Sequence, residues 1–140
     1  MSAEDNKTLA RRSWEVTDNL DLLDEVYAAD FVWHEPDQDI QGYEEARQFI
    51  NMYKSAFPDL RVTVEDVLAE GDQAVTRWTI RGTHRGDLMG TAPTERKIEF
   101  KGISIHRIAG GKIVEEWTNL DMLSLLQQIG AIPQPGQAGS

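Results

Sequence analysis

The chain offers acid and base chemistry from carboxylates and imidazoles, because it has 24 aspartates and glutamates, three histidines and no cysteine. The absence of cysteine excludes thiolate metal sites, iron–sulfur clusters, disulfide scaffolds and cysteine nucleophiles. No two histidines stand at a short ligand spacing, and the sequence has no phosphate-binding loop, dinucleotide fingerprint or nucleophile elbow. We therefore expect neither a metal nor a cofactor.

Asp121 stands where a predicted strand gives way to a short helix. Trp117 and Asn119 precede it at two-residue steps, so the three side chains should point to one side of the strand. Aspartate is a favoured helix cap, and its position alone favours that structural role. Asn119 is open to two interpretations, either as a residue that orients a carboxylate or a substrate carbonyl or as an ordinary turn residue.

His34 and His106 are further candidates. Alternation along the strand predicted over 96–109 puts His106 on one face with Ser104 and Phe100. A histidine that faces a cavity can donate to a developing oxyanion, and a structural role explains each histidine equally well. His84 stands at a strand end before a glycine turn, which favours a structural role.

The elements that hold these residues change from helical to extended at Pro58. Before it, apolar residues recur at three- and four-residue steps, which predicts an N-terminal helix, a short second helix that reaches Tyr27, and a third helix over 43–57. After it the period is two, with hairpin turns at Gly71-Asp72 and Gly110-Gly111. The predicted strands are 31–34, 61–70, 73–85, 96–109 and 112–119, and a closing helix follows over 121–129.

Length and charge limit the class of protein. A chain of 140 residues with a net charge of −10 is expected to form one acidic domain, which argues against a nucleic-acid partner. Residues 1–70 carry 6 basic and 17 acidic side chains, whereas residues 71–140 carry 8 and 7. No apolar run approaches the length of a membrane span and the N-terminus is polar, so we expect a soluble, cytoplasmic protein.

Helices followed by long antiparallel strands indicate an α+β fold, in which helices pack on one face of a curved sheet and leave a cavity between them. We expect a single domain over residues 1–132 and a flexible tail over 133–140.

Several segments, in the same order and spacing, resemble the SnoaL-like polyketide cyclase (ester cyclase) family. They are Ala56-Phe57-Pro58-Asp59-Leu60, Ala69-Glu70-Gly71-Asp72, Gly82-Thr83-His84-Arg85-Gly86, Met89-Gly90-Thr91-Ala92-Pro93-Thr94, Gly111-Lys112-Ile113-Val114-Glu115-Glu116-Trp117, Asp121 and Gln128-Ile129-Gly130. The resemblance implies the nuclear-transport-factor-2-like fold, an α+β barrel in which a cone of curved antiparallel sheet wraps around three N-terminal helices. It also implies a homodimer that forms through the sheet.

The resemblance further implies that Asp121 is the general acid/base of an intramolecular aldol condensation. A carboxylate can take a proton from a carbon between carbonyl groups and return one to the new alkoxide if apolar burial raises its pKa. Two departures from the family pattern are visible. Gly102 and Ser104 stand where the anthracycline cyclases carry glutamine and histidine, and Glu95 replaces a glycine.

We therefore expect a cofactor-independent acid/base enzyme, a polyketide-cyclase-like lyase or isomerase, that acts on a small apolar carbonyl compound. The expected catalytic residues are Asp121, His34 and His106. The expected substrate-binding residues are Trp14, Trp33, Trp78, Trp117, Asn119, Phe100 and Ser104. Two alternatives stay open: a water-adding enzyme (a hydratase, epoxide hydrolase or hydroxylation-pathway protein), and a non-catalytic small-ligand-binding dimer in which Asp121 only caps a helix.

Overall fold

A capping box starts the first helix of the computed structural model, which describes residues 2–133. The Ser2 hydroxyl accepts a hydrogen bond from the backbone N–H of Asp5, and the Asp5 carboxylate accepts one from the backbone N–H of Ser2. The elements follow in chain order: α1 (Ala3–Ser13), α2 (Leu23–Val26), β1 (Tyr27–His34), β2 (Asp39–Gln41), α3 (Gly42–Ala56), β3 (Arg61–Glu70), β4 (Gln73–Thr83), β5 (Lys97–Ala109), β6 (Lys112–Leu120) and α4 (Met122–Gln128). The predicted tail lies outside the described residues beyond Pro133.

The strands form one curved sheet in the order β2-β1-β6-β5-β4-β3. Strand β1 runs parallel to β6, and the other neighbouring pairs are antiparallel. Irregular registers interrupt β1, β3 and the β5–β6 pair, and such bulges bend and twist a sheet. Within the described residues β2 and β3 are the two edges, so the sheet is unclosed. The predicted α+β architecture is confirmed.

The region between α1 and α3 differs from its prediction. Tyr27 begins β1 instead of ending a helix, and β2 was not predicted. Strand β2 is only three residues long, with Ile40 opposite Trp33 in the neighbouring strand. A segment this short has too few alternating residues for a period of two, and only its pairing with β1 makes it a strand.

The helices cover the concave face of the sheet. On α3, Ala46 and Ile50 are buried one turn apart, as the predicted apolar stripe requires. Two apolar clusters form the core, one around Leu23, Phe31 and Trp33 and the other around Trp78 and its neighbours. No helix within residues 2–133 is both long and apolar enough to cross a membrane.

Candidate active site

A cavity lies between the helices and the concave face of the sheet. Its volume is about 90 Å³, below the roughly 300–1,000 Å³ of most small-molecule sites. Its polar lining comes from two carboxyl groups, Glu35 and Glu116, and from a few hydroxyl groups. Most of the remaining wall is aromatic or aliphatic.

Seven aromatic rings line this cavity in an unbroken series, which we call the aromatic belt. Its members are Tyr27, Trp33, Phe49, Tyr53, Phe100, Trp78 and Trp14. Each ring contacts the next in that order, with centroid separations of 5.3, 6.2, 5.3, 6.5, 6.2 and 5.0 Å. The belt draws on the turn after α1, β1, α3, β4 and β5, so it exists only in the folded chain.

Pairing between β1 and β6 brings the two glutamates together. Trp33 is the register partner of Glu116, and Glu35 follows Trp33 by two residues, which puts it on the same side of the sheet. Burial raises the pKa of Glu35 from 4.5 to about 8, and the negative charges of Glu116 and Asp37 add to this effect. A hydrogen bond with Thr118 acts in the opposite direction.

Two donors bind the same oxygen of Glu116. The Tyr27 hydroxyl lies 2.9 Å from Glu116 Oε1, and His106 Nδ1 lies 2.5 Å from it. On the other side of the imidazole, His106 Nε2 lies 2.8 Å from the Thr76 hydroxyl, which accepts a hydrogen bond from Trp14 Nε1 at 3.0 Å. An indole nitrogen only donates, so the Thr76 hydrogen is free to donate to His106 Nε2 while Nδ1–H donates to Glu116. In this arrangement every N–H and O–H group of the network has an acceptor.

His106 therefore lies outside the cavity and holds the carboxylate of Glu116 in place. It is fully buried and stands directly opposite Glu116 in the β5–β6 register, where cross-strand side chains lie on the same face. Ser104, the next inward residue of β5, accepts a hydrogen bond from Trp78 Nε1 at 3.1 Å and lies 2.8 Å from the Thr118 hydroxyl. Phe100 lines the cavity itself.

The departure at Gly102 has a packing reason. A Cβ built at this residue would lie 2.3 Å from Cζ2 and 2.6 Å from Cη2 of the Trp78 indole. It would also lie 2.8 Å from the carbonyl oxygen of Asn119. Trp78 thus occupies the space over Gly102, so glycine here makes room for an aromatic wall.

His34 lies at the margin of the sheet. Its Nδ1 is 2.9 Å from Asp39 and its Nε2 is 2.6 Å from Glu115, and its ring stacks on Trp117 with centroids 5.5 Å apart. The hydrogen bonds to Glu115 and Asp39 raise the pKa of His34. His34 precedes the turn that contains Glu35, and Asp39 follows it. The hydrogen bond between His34 and Asp39 therefore joins the two ends of that turn.

Asp121 and its neighbours lie outside the cavity, on the outer face of the sheet. Asp121 is exposed and caps α4 by accepting a hydrogen bond from the backbone N–H of Ser124 at 3.0 Å. Trp117 and Asn119 share a side with it, as alternation predicts, but this side is the outer face beside Ile103. Trp117, which we expected to line the cavity, therefore does not. The inward positions of β6 belong to Glu116 and Thr118. A catalytic role for Asp121 stays a prediction.

Sequence reasoning missed Glu35, Glu116, Tyr27 and Tyr53. A signal for Glu35 was present, because Phe31, Trp33 and Glu35 alternate along one face of a predicted strand and its extension. Burial also raises the pKa of Tyr53 well above its usual range, so its hydroxyl stays protonated beside Glu35. The buried Trp33 indole N–H has no hydrogen-bond partner among the described residues.

Solved structures with similar sequences have the same fold. A proposed SnoaL-like polyketide cyclase from Jannaschia sp. CCS1 is 25% identical with a TM-score of 0.85, over 94% of this chain and 95% of that chain. IdmH from Streptomyces antibioticus, a proposed polyketide cyclase, is 30% identical with a TM-score of 0.77, over 88% and 96%. AclR from Streptomyces galilaeus, a proposed hydroxylase, is 27% identical with a TM-score of 0.82, over 95% and 85%. No curated protein sequence matches the chain.

The model of the SnoaL-like polyketide cyclase family matches residues 7–129. That range includes every residue of the aromatic belt and both cavity glutamates. The resemblance read from the sequence motifs is confirmed, and so is the α+β fold with helices on a curved sheet; the sheet differs from the implied antiparallel barrel in being unclosed and in pairing β1 with β6 in parallel. The chain belongs to the SnoaL-like polyketide cyclase family.

Proposed function

We propose that this protein is a cofactor-independent acid/base enzyme that moves protons on a small apolar carbonyl compound through Glu35 and Glu116. The observation that carries the proposal is the pair of carboxyl groups in one aromatic cavity, one of them with a pKa of about 8. Neighbouring carboxyl groups whose environments differ are a recurrent way to obtain an acid and a base at the same pH.

The two glutamates have different roles. Below pH 8 Glu35 is mostly protonated and donates a hydrogen bond to the substrate carbonyl oxygen. Glu116 is the base, since Tyr27 and His106 both bind its Oε1 and leave Oε2 for the substrate. His106 is a positioning residue in this scheme, because it acts through Glu116.

An aldol-type ring closure follows from these roles. Glu116 takes a proton from the carbon beside the carbonyl group, and the C–H electron pair forms an enolate whose oxygen accepts a hydrogen bond from Glu35. The enolate carbon forms a bond to a second carbonyl carbon, and the resulting alkoxide takes the proton of Glu35. Proton transfer from Glu116 to Glu35 restores both groups, so the reaction consumes no cofactor and leaves no net charge.

Proton exchange tests the proposal without knowledge of the substrate. In deuterated buffer, NMR follows loss of the protons next to the carbonyl group of 4-phenyl-2-butanone. Glu35→Gln and Glu116→Gln should each slow the enzyme-dependent exchange by at least about 100-fold, the usual range for general acid–base groups. Asp121→Asn is the matched control, because asparagine preserves the helix cap.

The opposite pattern would assign the chemistry to the outer face. If Asp121→Asn abolishes exchange while the two glutamine variants retain it, the base is Asp121 as the family resemblance implies. Exchange that equals the buffer rate with the wild-type protein would contradict an enzyme of this type and favour a ligand-binding protein.

A water-adding reaction is the second candidate, since AclR is a proposed hydroxylase with 27% identity to this chain. In that case Glu116 would remove a proton from water and Glu35 would protonate the substrate. Labelled water separates the two reactions: oxygen-18 appears in the product of water addition and is absent from new positions after ring closure.

We also propose that the outer face of the sheet pairs with a second copy. Ile103 and Ile105 are exposed there beside Trp117, and Arg77 on the same face is close to Asp66. A face with both charges and an apolar centre is self-complementary, as a two-fold interface requires. Light scattering after size-exclusion chromatography should give a dimer for the wild type and a monomer for Ile103→Asp.

A further inference from the structure

The aromatic belt makes the cavity attractive to positive charge. The face of each aromatic ring carries partial negative charge, and a cation within about 6 Å of a ring centroid is stabilised by it. Because seven rings in unbroken contact line the cavity, one bound cation would lie close to several of them. An apolar ligand needs hydrophobic area, for which aliphatic side chains would be sufficient.

The charged side chains that line the cavity are all acidic. Glu35 and Glu116 line the cavity, and no lysine, arginine or histidine does so among residues 2–133. The imidazole of His106 lies behind Glu116, with both ring nitrogens bound to protein groups. Asp37 adds negative charge close to Glu35. The cavity therefore disfavours carboxylate and phosphate ligands, and no lining residue provides a cationic partner for Oε2 of Glu116.

One oxygen of Glu116 is available to complete this pairing. Tyr27 and His106 both donate to Oε1, and no described group donates to Oε2. A buried carboxylate is most stable when a positive group lies beside it. A ligand that brings its own positive charge would supply that group, whereas a neutral ligand would remove water from Oε2 without replacing it.

We propose that the ligand of this cavity carries a positively charged nitrogen, held between the aromatic belt and the carboxyl groups of Glu35 and Glu116. This inference rests on the proposed function, since it specifies the substrate of the same site as an amino-substituted carbonyl compound. The ammonium group lies beside Oε2 of Glu116, whose second lone pair stays available to take the proton from the neighbouring carbon, and the apolar body fills the rest of the cavity. Anionic substrates are excluded.

The affinity of the cavity for a cationic ligand should depend on pH. Ionisation of Glu35 adds a negative charge, so the affinity for a cation should rise with pH through about 8. The groups that face Glu35 are Glu116 from β6, Asp37 from its own turn and Tyr53 from α3. The tyrosine stays neutral over this range. A neutral carbonyl ligand that accepts a hydrogen bond from protonated Glu35 should show the opposite dependence.

Two probes of matched shape test the charge preference. Benzyltrimethylammonium is permanently charged, and neopentylbenzene has the same shape with carbon in place of nitrogen. Binding is measured by the change in tryptophan fluorescence at pH 6 and pH 9. At pH 9 the cation should bind at least about tenfold more tightly, given the usual strength of cation–aromatic contacts, and the preference should shrink at pH 6.

Two variants test whether Glu35 causes the pH dependence of cation binding. Glu35→Gln should remove the pH dependence of cation binding, whereas Glu70→Gln changes the net charge equally at an exposed residue of β3 and should leave it intact. Equal affinity for the two probes at pH 9, or no binding of either, would overturn the inference. Proton exchange on 4-phenyl-2-butanone is a separate readout, so the acid/base function can hold while the charge preference fails, and the reverse.

Discussion

Replacing Glu35 by glutamine should stabilise the protein at high pH. The folded state keeps a proton on Glu35 up to a pKa of about 8, whereas the unfolded chain releases it near the ordinary value of 4.5. Between these values the folded state binds more protons, so the free energy of unfolding decreases as pH rises. Glutamine has the same shape and no proton to lose, so it is free of this penalty.

The magnitude follows from the two pKa values. Each pH unit between 4.5 and about 8 lowers the stability contribution of Glu35 by about 1.4 kcal/mol, which gives a total of about 5 kcal/mol. Because the side chain keeps part of its solvent contact, we expect about 3–5 kcal/mol at pH 9. Such a difference is a large fraction of the stability of a small domain.

Urea denaturation followed by tryptophan fluorescence measures this difference. Wild type and Glu35→Gln are compared at pH 5, 7 and 9, and subtraction cancels the other groups that titrate in both proteins. The variant should show little advantage at pH 5 and its full advantage at pH 9. Glu70→Gln is the control for the loss of one charge and should follow the wild type throughout.

A difference that is equal at pH 5 and pH 9 would refute the reasoning. It would mean that Glu35 titrates alike in the folded and unfolded chains and is not a buried acid. The assignment of Glu35 as the proton donor would then fail as well. A stability penalty confirmed at high pH would instead show that the fold tolerates an unfavourable carboxyl group in the cavity, as active sites commonly do.

Three further predictions concern other parts of the site. Gly102→Ala should lower the free energy of unfolding by about 1–3 kcal/mol, because its Cβ overlaps the Trp78 ring; urea denaturation measures this, and a cost of Gly102→Ala that is as large in a Trp78→Leu background as in the wild type would contradict it. Asp121→Ala should cost about 0.5–2 kcal/mol through loss of the α4 cap, with proton exchange unchanged; slower exchange would disprove a purely structural role. His34 should titrate by NMR above its ordinary value of 6.5, because Glu115 hydrogen-bonds to it; Glu115→Gln should return the value toward 6.5, and an unchanged value would show that the pair does not form in solution.

Much of the fold could be predicted from local patterns. The alternation of β4, β5 and β6, the glycine turns between them and the apolar stripe of α3 are all local, so each element specifies itself. The inward grouping of Phe100, Ser104 and His106 followed from a period of two. Strand β2 could not be predicted, because three residues carry no period and depend on a neighbour.

The sequence by itself determined which residues share a face, and only the tertiary structure decided which face lines the cavity. Trp117, Asn119 and Asp121 do lie together on one face. Alternation along a strand does not show which of its two faces is the inner one, and both faces of β6 carry apolar groups. The meeting of Glu35 with Glu116 required the parallel pairing of β1 with β6, two strands separated by most of the chain. The pKa of Glu35 depends on that meeting and on burial, so its raised value is a product of long-range packing.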